Sequence, residues 1–100
     1  LDPELIYKVI SDGAGTSRMF EVRGPLMVKG EYDPATMKVD IWQKDMKIIG
    51  EYATTLGVPT PLFAASALLY TAAMAQGRGK QDTASVCAIL EEWARLTRNS

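Results

Sequence analysis

The 100-residue sequence contains no histidine and a single cysteine, Cys87. Without histidine, every nucleophilic triad that uses an imidazole base is excluded. A zinc site built from cysteine and histidine is excluded too, because it needs three or four such ligands; no metal site is expected. One thiol cannot build a disulfide framework within the chain, and this cysteine usage favours a reducing, cytoplasmic compartment. Charge of one sign is also lacking: 11 basic and 12 acidic residues leave a net charge of -1. Non-specific nucleic-acid binding needs a basic excess and is not expected. No hydrophobic run is long enough for a bilayer. The most apolar stretch, Leu62 to Ala75, carries Ser66 and Thr71 and falls short of the roughly 20 residues required. The opening Leu1-Asp2-Pro3-Glu4 has no basic region leading into an apolar run, so it does not read as a secretory signal.

Apolar residues make up 47% of the chain, enough for one domain with its own core. Asp2 and Pro3 read as the cap and first residue of a helix, with Leu1 and Ile6 spaced as a hydrophobic staple. Leu5, Ile6, Val9 and Ile10 form its apolar stripe, and Asp12-Gly13 stops it. So abrupt a start on a helix cap suggests a natural protein that continues upstream. Ser17 to Gly30 reads as a helix broken at Pro25, and Glu31 to Ala35 as a turn in which Asp33 and Pro34 can cap the next helix. That helix is expected from Lys38 to Leu56, with Trp42, Met46, Ile49, Ala53 and Leu56 on one face. Thr60-Pro61 opens a fourth helix, apolar nearly all round, which the pattern places at the buried centre. Asp82 caps the last helix, whose inward stripe is Val86, Ile89, Leu90, Trp93 and Leu96. No run alternates long enough for a strand. The fold class is therefore all-α, a bundle of about five helices around a buried apolar central helix.

Apparent nucleotide loops do not survive scrutiny. Gly13-Ala14-Gly15 has Arg18 where the dinucleotide fingerprint needs its third glycine, and it follows a helix rather than a strand. Gly79-Lys80 is followed by Gln81, where a phosphate loop needs serine or threonine. On spacing alone, Lys44 and Asp45 belong to a solvated helix face, with Lys44 pairing Asp40 and Lys47 pairing Glu51 one turn away. Arg18 and Arg23 are either surface residues or forks for a carboxylate. Cys87 reads as a small buried hydrophobe and Met37, Met46 and Met74 as core fillers.

Several segments line up, in order, with a known family. Leu1-Asp2-Pro3-Glu4, Gly15 to Pro25, Tyr32-Asp33-Pro34, Lys44-Asp45-Met46, Gly57 to Pro61, the Gly77-x-Gly79-x-x-Asp82 ending and Ala84-Ser85-Val86 together resemble the C-terminal helical domain of β-hydroxyacid dehydrogenases of the 3-hydroxyisobutyrate dehydrogenase type, a domain related to that of 6-phosphogluconate dehydrogenase. The resemblance runs from Leu1 to about Leu96. It implies that residues 1–100 are a substrate and oligomerisation domain of an NAD- or NADP-dependent oxidoreductase acting on a small β-hydroxy acid of the 3-hydroxyisobutyrate, threonate or tartronate semialdehyde type. The catalytic lysine, on an interdomain helix, and the Rossmann domain holding most of the cofactor would lie upstream of Leu1, so no residue here inherits the acid–base role. The implied partners are the hydroxy acid, the chain's own Rossmann domain and further copies in a homo-oligomer. Lys44, supported by Asp45, is implied to reach the cofactor or substrate across the cleft. Arg18, Arg23 and Met37 stand at substrate-side positions where relatives carry aromatic residues. The competing reading is a stand-alone dimerisation or regulatory module without catalytic activity, its exposed face a protein-binding patch.

Overall fold

The computed structural model describes residues 1–98. Those residues form five α-helices and one short 3-10 turn, with no strand among them. The first helix, α1 (Pro3–Ser11), starts where the sequence places it: Asp2 Oδ1 accepts from the Glu4 amide at 3.0 Å. Its apolar stripe does not face a core. Leu5, Ile6, Val9 and Ile10 are 36% to 64% exposed, and Leu1 is fully exposed, so the expected staple does not form.

The second helix, α2 (Arg18–Lys29), runs unbroken through Pro25, contrary to expectation. Proline removes the amide that would serve the carbonyl four residues earlier, here Glu21. That carbonyl instead accepts from Tyr7 Oη at 3.4 Å. The same tyrosine stacks on Phe20 with ring centroids 5.2 Å apart. It lies so close to Gly24 that a Cβ there would stand 2.6 Å from its ring. Packing against α1 thus offsets the proline, and α2 ends only at Gly30 in the left-handed region (φ 70°).

Helix α3 (Val39–Thr55) takes its N-terminal cap from a distant backbone rather than from Asp33. The Val39 amide donates to Gln81 O and the Asp40 amide to Gly79 O, both at 3.0 Å, satisfying groups that a helix start leaves open. Thr60 likewise makes no side-chain cap to α4 (Pro61–Ala75). Asp82 does cap, through a 3-10 turn (Thr83–Ser85) that leads straight into α5 (Val86–Trp93).

The core sits where the start of α3, the C-terminal half of α4 and the start of α5 meet: Val39, Ala73 and Ile89 are fully buried, with Leu69, Tyr70 and Ala72 around them. The expectation of a buried central helix is overturned. Leu62 is 86% and Leu68 67% exposed on α4. The 17-residue α3 packs along one side of α4, and the other helix against it, α5, is short. At 1.5 Å per residue, the 15-residue α4 is roughly 22 Å long and the eight-residue α5 roughly 12 Å. The shorter helix cannot cover the longer. Leu90, Trp93 and Leu96, expected to point inward, likewise remain 49% to 66% exposed. On α3, Met46 is buried but Ile49 and Leu56 are exposed, and Met74 is also partly open. A radius of gyration of 14.7 Å, against about 13 Å for a compact domain of this length, matches so open an arrangement. Among the described residues, no helix is long and apolar enough to cross a membrane.

Candidate functional site

Two side-chain groupings stand out. The first is centred on Asp82, which is fully buried. Its Oδ1 accepts from the Thr36 amide (3.1 Å), Thr36 Oγ1 (3.0 Å) and the Met37 amide (3.2 Å), and its Oδ2 from the Ala84 amide (2.9 Å). Arg23 Nε approaches Oδ2 at 3.5 Å and donates to Thr83 Oγ1 at 2.8 Å. Burial works to raise the pKa of this carboxyl. The hydrogen bonds from Ala84, Met37 and Thr36 outweigh it and hold the group below the ordinary carboxylate value. The hub ties α2, the Thr36-Met37 turn and the entry to α5 together. Tyr70, its phenol pushed up by burial, packs edge-on to Trp42 with centroids 6.3 Å apart.

Of the three substrate-side candidates, Arg23 and Met37 therefore meet at Asp82. Arg23 is only 15% exposed in its side chain, and its Nε is spent on Thr83 and Asp82. Met37 contributes its backbone at both ends, its carbonyl accepting from the Thr83 amide at 2.9 Å. Arg18 does not join them. It is exposed at the first position of α2, behind the Ser17 cap that accepts from the Phe20 amide at 3.0 Å.

The second grouping is the outer face of α3. Its inner face is pinned to α4 by the Trp42–Tyr70 contact and by Gln43 Nε2, which donates to Thr71 Oγ1 at 3.3 Å. With about 100° of rotation per residue, Lys44 and Ile48 then lie opposite Met46, and Asp45 lies beyond Ile41 on the other edge of that face. Lys44 is exposed and Asp45 half-buried. Ile41 and Ile48 between them are 49% and 57% exposed. The expected surface pairs are not made. Among the described residues the ion pairs are Arg23–Asp82, Lys80–Asp40 and Arg98–Glu91. Asp40 Oδ2 thus goes to Lys80 Nζ at 2.7 Å, a hydrogen bond that holds the Asp40 carboxyl below its ordinary pKa. Among the described residues, Lys44 and Lys47 have no ion-pair partner.

Neither Lys44 nor Arg18 lines any of three open concavities of about 610 to 690 Å³. The outer face of α3 is a wall rather than a pocket. Cys87, half-buried on α5, lies 3.7 Å from Glu91 Oε1, and burial pushes its thiol pKa up, which suits a packing residue better than a nucleophile. Among the described residues, no group of three or more acidic, cysteine or histidine side chains could hold a metal ion. Gly13-Ala14-Gly15 joins two helices and follows no strand, so it forms no phosphate loop. Sequence reasoning missed the reach of Asp82 across Thr36, Met37 and Arg23, and the Lys80–Asp40 pair. Both depend on the turn that the Gly77-x-Gly79-x-x-Asp82 pattern builds.

Comparison with known proteins agrees with this architecture. Residues 1–90 match the family described as NAD-binding of NADP-dependent 3-hydroxyisobutyrate dehydrogenase. The chain is 38% identical over 89 residues to L-threonate dehydrogenase of Cupriavidus necator, covering 89% of the chain and 30% of that protein. It is 40% identical over 90 residues to 3-sulfolactaldehyde reductase of Escherichia coli, covering 89% and 29%. The crystal structure of 3-hydroxyisobutyrate dehydrogenase from Salmonella typhimurium superposes with a TM-score of 0.83 at 34% identity, over 89% of this chain and 31% of that one. The chain thus spans about 30% of the length of these relatives. The sequence reading placed most cofactor binding upstream of Leu1, whereas the matched family, described as NAD-binding, covers residues 1–90 of this chain itself. The chain belongs to the NAD-binding family of NADP-dependent 3-hydroxyisobutyrate dehydrogenase.

Proposed function

We propose that this chain is the C-terminal helical domain of an NAD(P)-dependent β-hydroxyacid dehydrogenase, akin to the corresponding domain of 6-phosphogluconate dehydrogenase, and that it forms one wall of the active-site cleft. The observation that carries the reading is Lys44: exposed and without an ion-pair partner among the described residues, on an outer face of α3 that also presents Ile41 and Ile48. A cation on a part-apolar wall suits an anionic ligand. Once an opposing domain excludes water, its attraction for phosphate or carboxylate strengthens.

The residues fit a nicotinamide dinucleotide from one side only. Lys44, with Asp45 beside it, would meet an anionic group of the cofactor. A phosphate-cradling loop after a strand is not found among the described residues; the Rossmann domain would supply it, joined through an interdomain helix that bears the acid–base lysine. The nicotinamide, when bound, accepts the hydride. This chain's own residues bind and orient. Arg18 is the substrate-side cation left open by the fold, while Arg23 and the Met37 backbone, drawn onto Asp82, shape the wall behind it. Relatives named for threonate and sulfolactaldehyde support a small anionic hydroxy compound as substrate. The exposed apolar residues of α1 and α4 support burial against the rest of a larger, oligomeric enzyme, and the single cysteine favours the cytoplasm.

The test is oxidation of a panel of small β-hydroxy acids, with NAD and with NADP, by the full-length enzyme and by residues 1–100 alone. Turnover of at least one acid by the full-length enzyme, and none by the isolated chain, is expected. Turnover by the isolated chain, or of none of the acids by the full-length enzyme, contradicts the reading.

A further inference from the structure

Asp40 and Lys44 are four residues apart on α3, with the acid on the N-terminal side, the orientation that favours a helical ion pair. The pair is not made; Asp40 instead meets Lys80 at 2.7 Å. The surrounding structure fixes that alternative. Gly77 turns the chain after α4 in the left-handed region (φ 78°). Gly79 then presses against α3: its carbonyl accepts from the Asp40 amide at 3.0 Å, and a Cβ there would stand 3.0 Å from Met74 Sδ and 3.7 Å from Asp40 Cβ. The next residue is Lys80. The glycine turn therefore delivers an ammonium to Asp40 from outside the helix, whereas the Asp40–Lys44 pair would need only the helix itself. Lys80 is 81% exposed in its side chain and Asp40 25%. An exposed pair of this kind adds little stability, so its effect lies in where it directs charge.

We infer that Lys80 is a positioning residue which, by engaging Asp40, keeps Lys44 unpaired and its charge directed at the anionic group across the cleft. The inference rests on the proposed cofactor-facing role of Lys44. Without Lys80, Asp40 keeps only the more distant charge of Lys38 and the Ile41 amide and turns to Lys44, its neighbour one turn along.

The experiment is a set of variants of the full-length enzyme, read as KM for the cofactor and kcat separately. Lys80→Ala is expected to raise KM about three- to tenfold, with kcat and melting temperature close to the parent. Lys80→Ala combined with Asp40→Asn is expected to return KM to within about twofold of the parent, because the competing carboxylate is gone. Lys29→Ala removes a positive charge from the exposed end of α2 and is expected to leave KM unchanged, which separates the local effect from net charge. An unchanged KM in Lys80→Ala overturns the inference. So does a double variant as impaired as Lys80→Ala, since Lys80 would then contact the ligand itself. Lys44→Ala makes the two layers distinguishable. If it leaves KM unchanged, the cofactor-facing reading falls and the inference with it. If it raises KM while Lys80→Ala does not, only the inference falls.

Discussion

The guanidinium of Arg23 lies 3.5 Å from the fully buried carboxylate of Asp82, 59 positions later in the chain. Arg23→Ala leaves that carboxylate with its amide and hydroxyl donors but without its charge partner. Asp82→Ala leaves Thr36, Met37, Ala84 and Arg23 without their acceptor. Removing one side of a buried pair costs about 3 kcal/mol or more. Asp82→Ala is expected to lower stability by at least that much in urea unfolding, and Arg23→Ala by less than Asp82→Ala, because the Thr36, Met37 and Ala84 donors still serve the carboxylate.

The same carboxylate sets an acid limit. Its pKa in the fold lies below the ordinary 3.8, so its contribution is fully present above that value and is lost as pH falls below it through the depressed folded pKa. Stability measured from pH 6 down to about 2 is expected to show this loss, and Asp82→Asn is expected to flatten that part of the curve.

Tyr32 sets an alkaline limit with the opposite sign. Burial pushes its phenol from 10.0 up to about 12. The neutral form is favoured by the fold, and its stabilisation persists below pH 10 and fades as pH rises through about 12. Among the described residues its buried Oη makes no hydrogen bond of good geometry, and the weak thiol of Cys87 is the polar group beside it. Tyr32→Phe is therefore expected to cost under about 1 kcal/mol at neutral pH and to reduce the alkaline loss. A cost of several kcal/mol in thermal unfolding would contradict this.

Gly24→Ala tests the contact that carries α2 through its proline. A Cβ 2.6 Å from the Tyr7 ring must displace it, which removes the Phe20 stacking and the Glu21 hydrogen bond together. A loss of about 1–3 kcal/mol is expected. Gly50→Ala, where a Cβ meets nothing within 4 Å, is expected to stabilise by up to about 1 kcal/mol. Melting temperatures of the two variants check the contrast.

The exposed apolar side of α4 bears on assembly. Residues 1–100 alone are expected to self-associate in sedimentation velocity. Leu62→Glu with Leu68→Glu, both on exposed positions of α4, is expected to weaken that association without lowering the melting temperature.

Helix boundaries were legible because caps and breakers are local: Asp2, Ser17, Gly30, Pro61 and Asp82 lie at element ends that their chemistry dictates. Burial was not. The stripes of α1 and α5 carry the periodicity of core helices, yet periodicity reports that a face is to be covered and not by what. The all-apolar α4 made the same demand, and the chain holds too little helix to meet it. Pro25 failed as a breaker because Tyr7 lies 18 residues upstream, beyond the reach of a local rule. At the candidate site, Lys44 emerged from an ordered set of short motifs. The pairing that leaves it open involves Lys80, 40 positions from Asp40, and no helical spacing predicts it.

The central claim is most directly tested by the dissociation constant of the reduced cofactor, followed by nicotinamide fluorescence, in the full-length enzyme and its Lys44→Ala variant. The account predicts a rise of more than about tenfold, or 1.4 kcal/mol. A constant within about twofold of the parent, with the fold intact, would contradict it and return Lys44 to an ordinary solvated helix face.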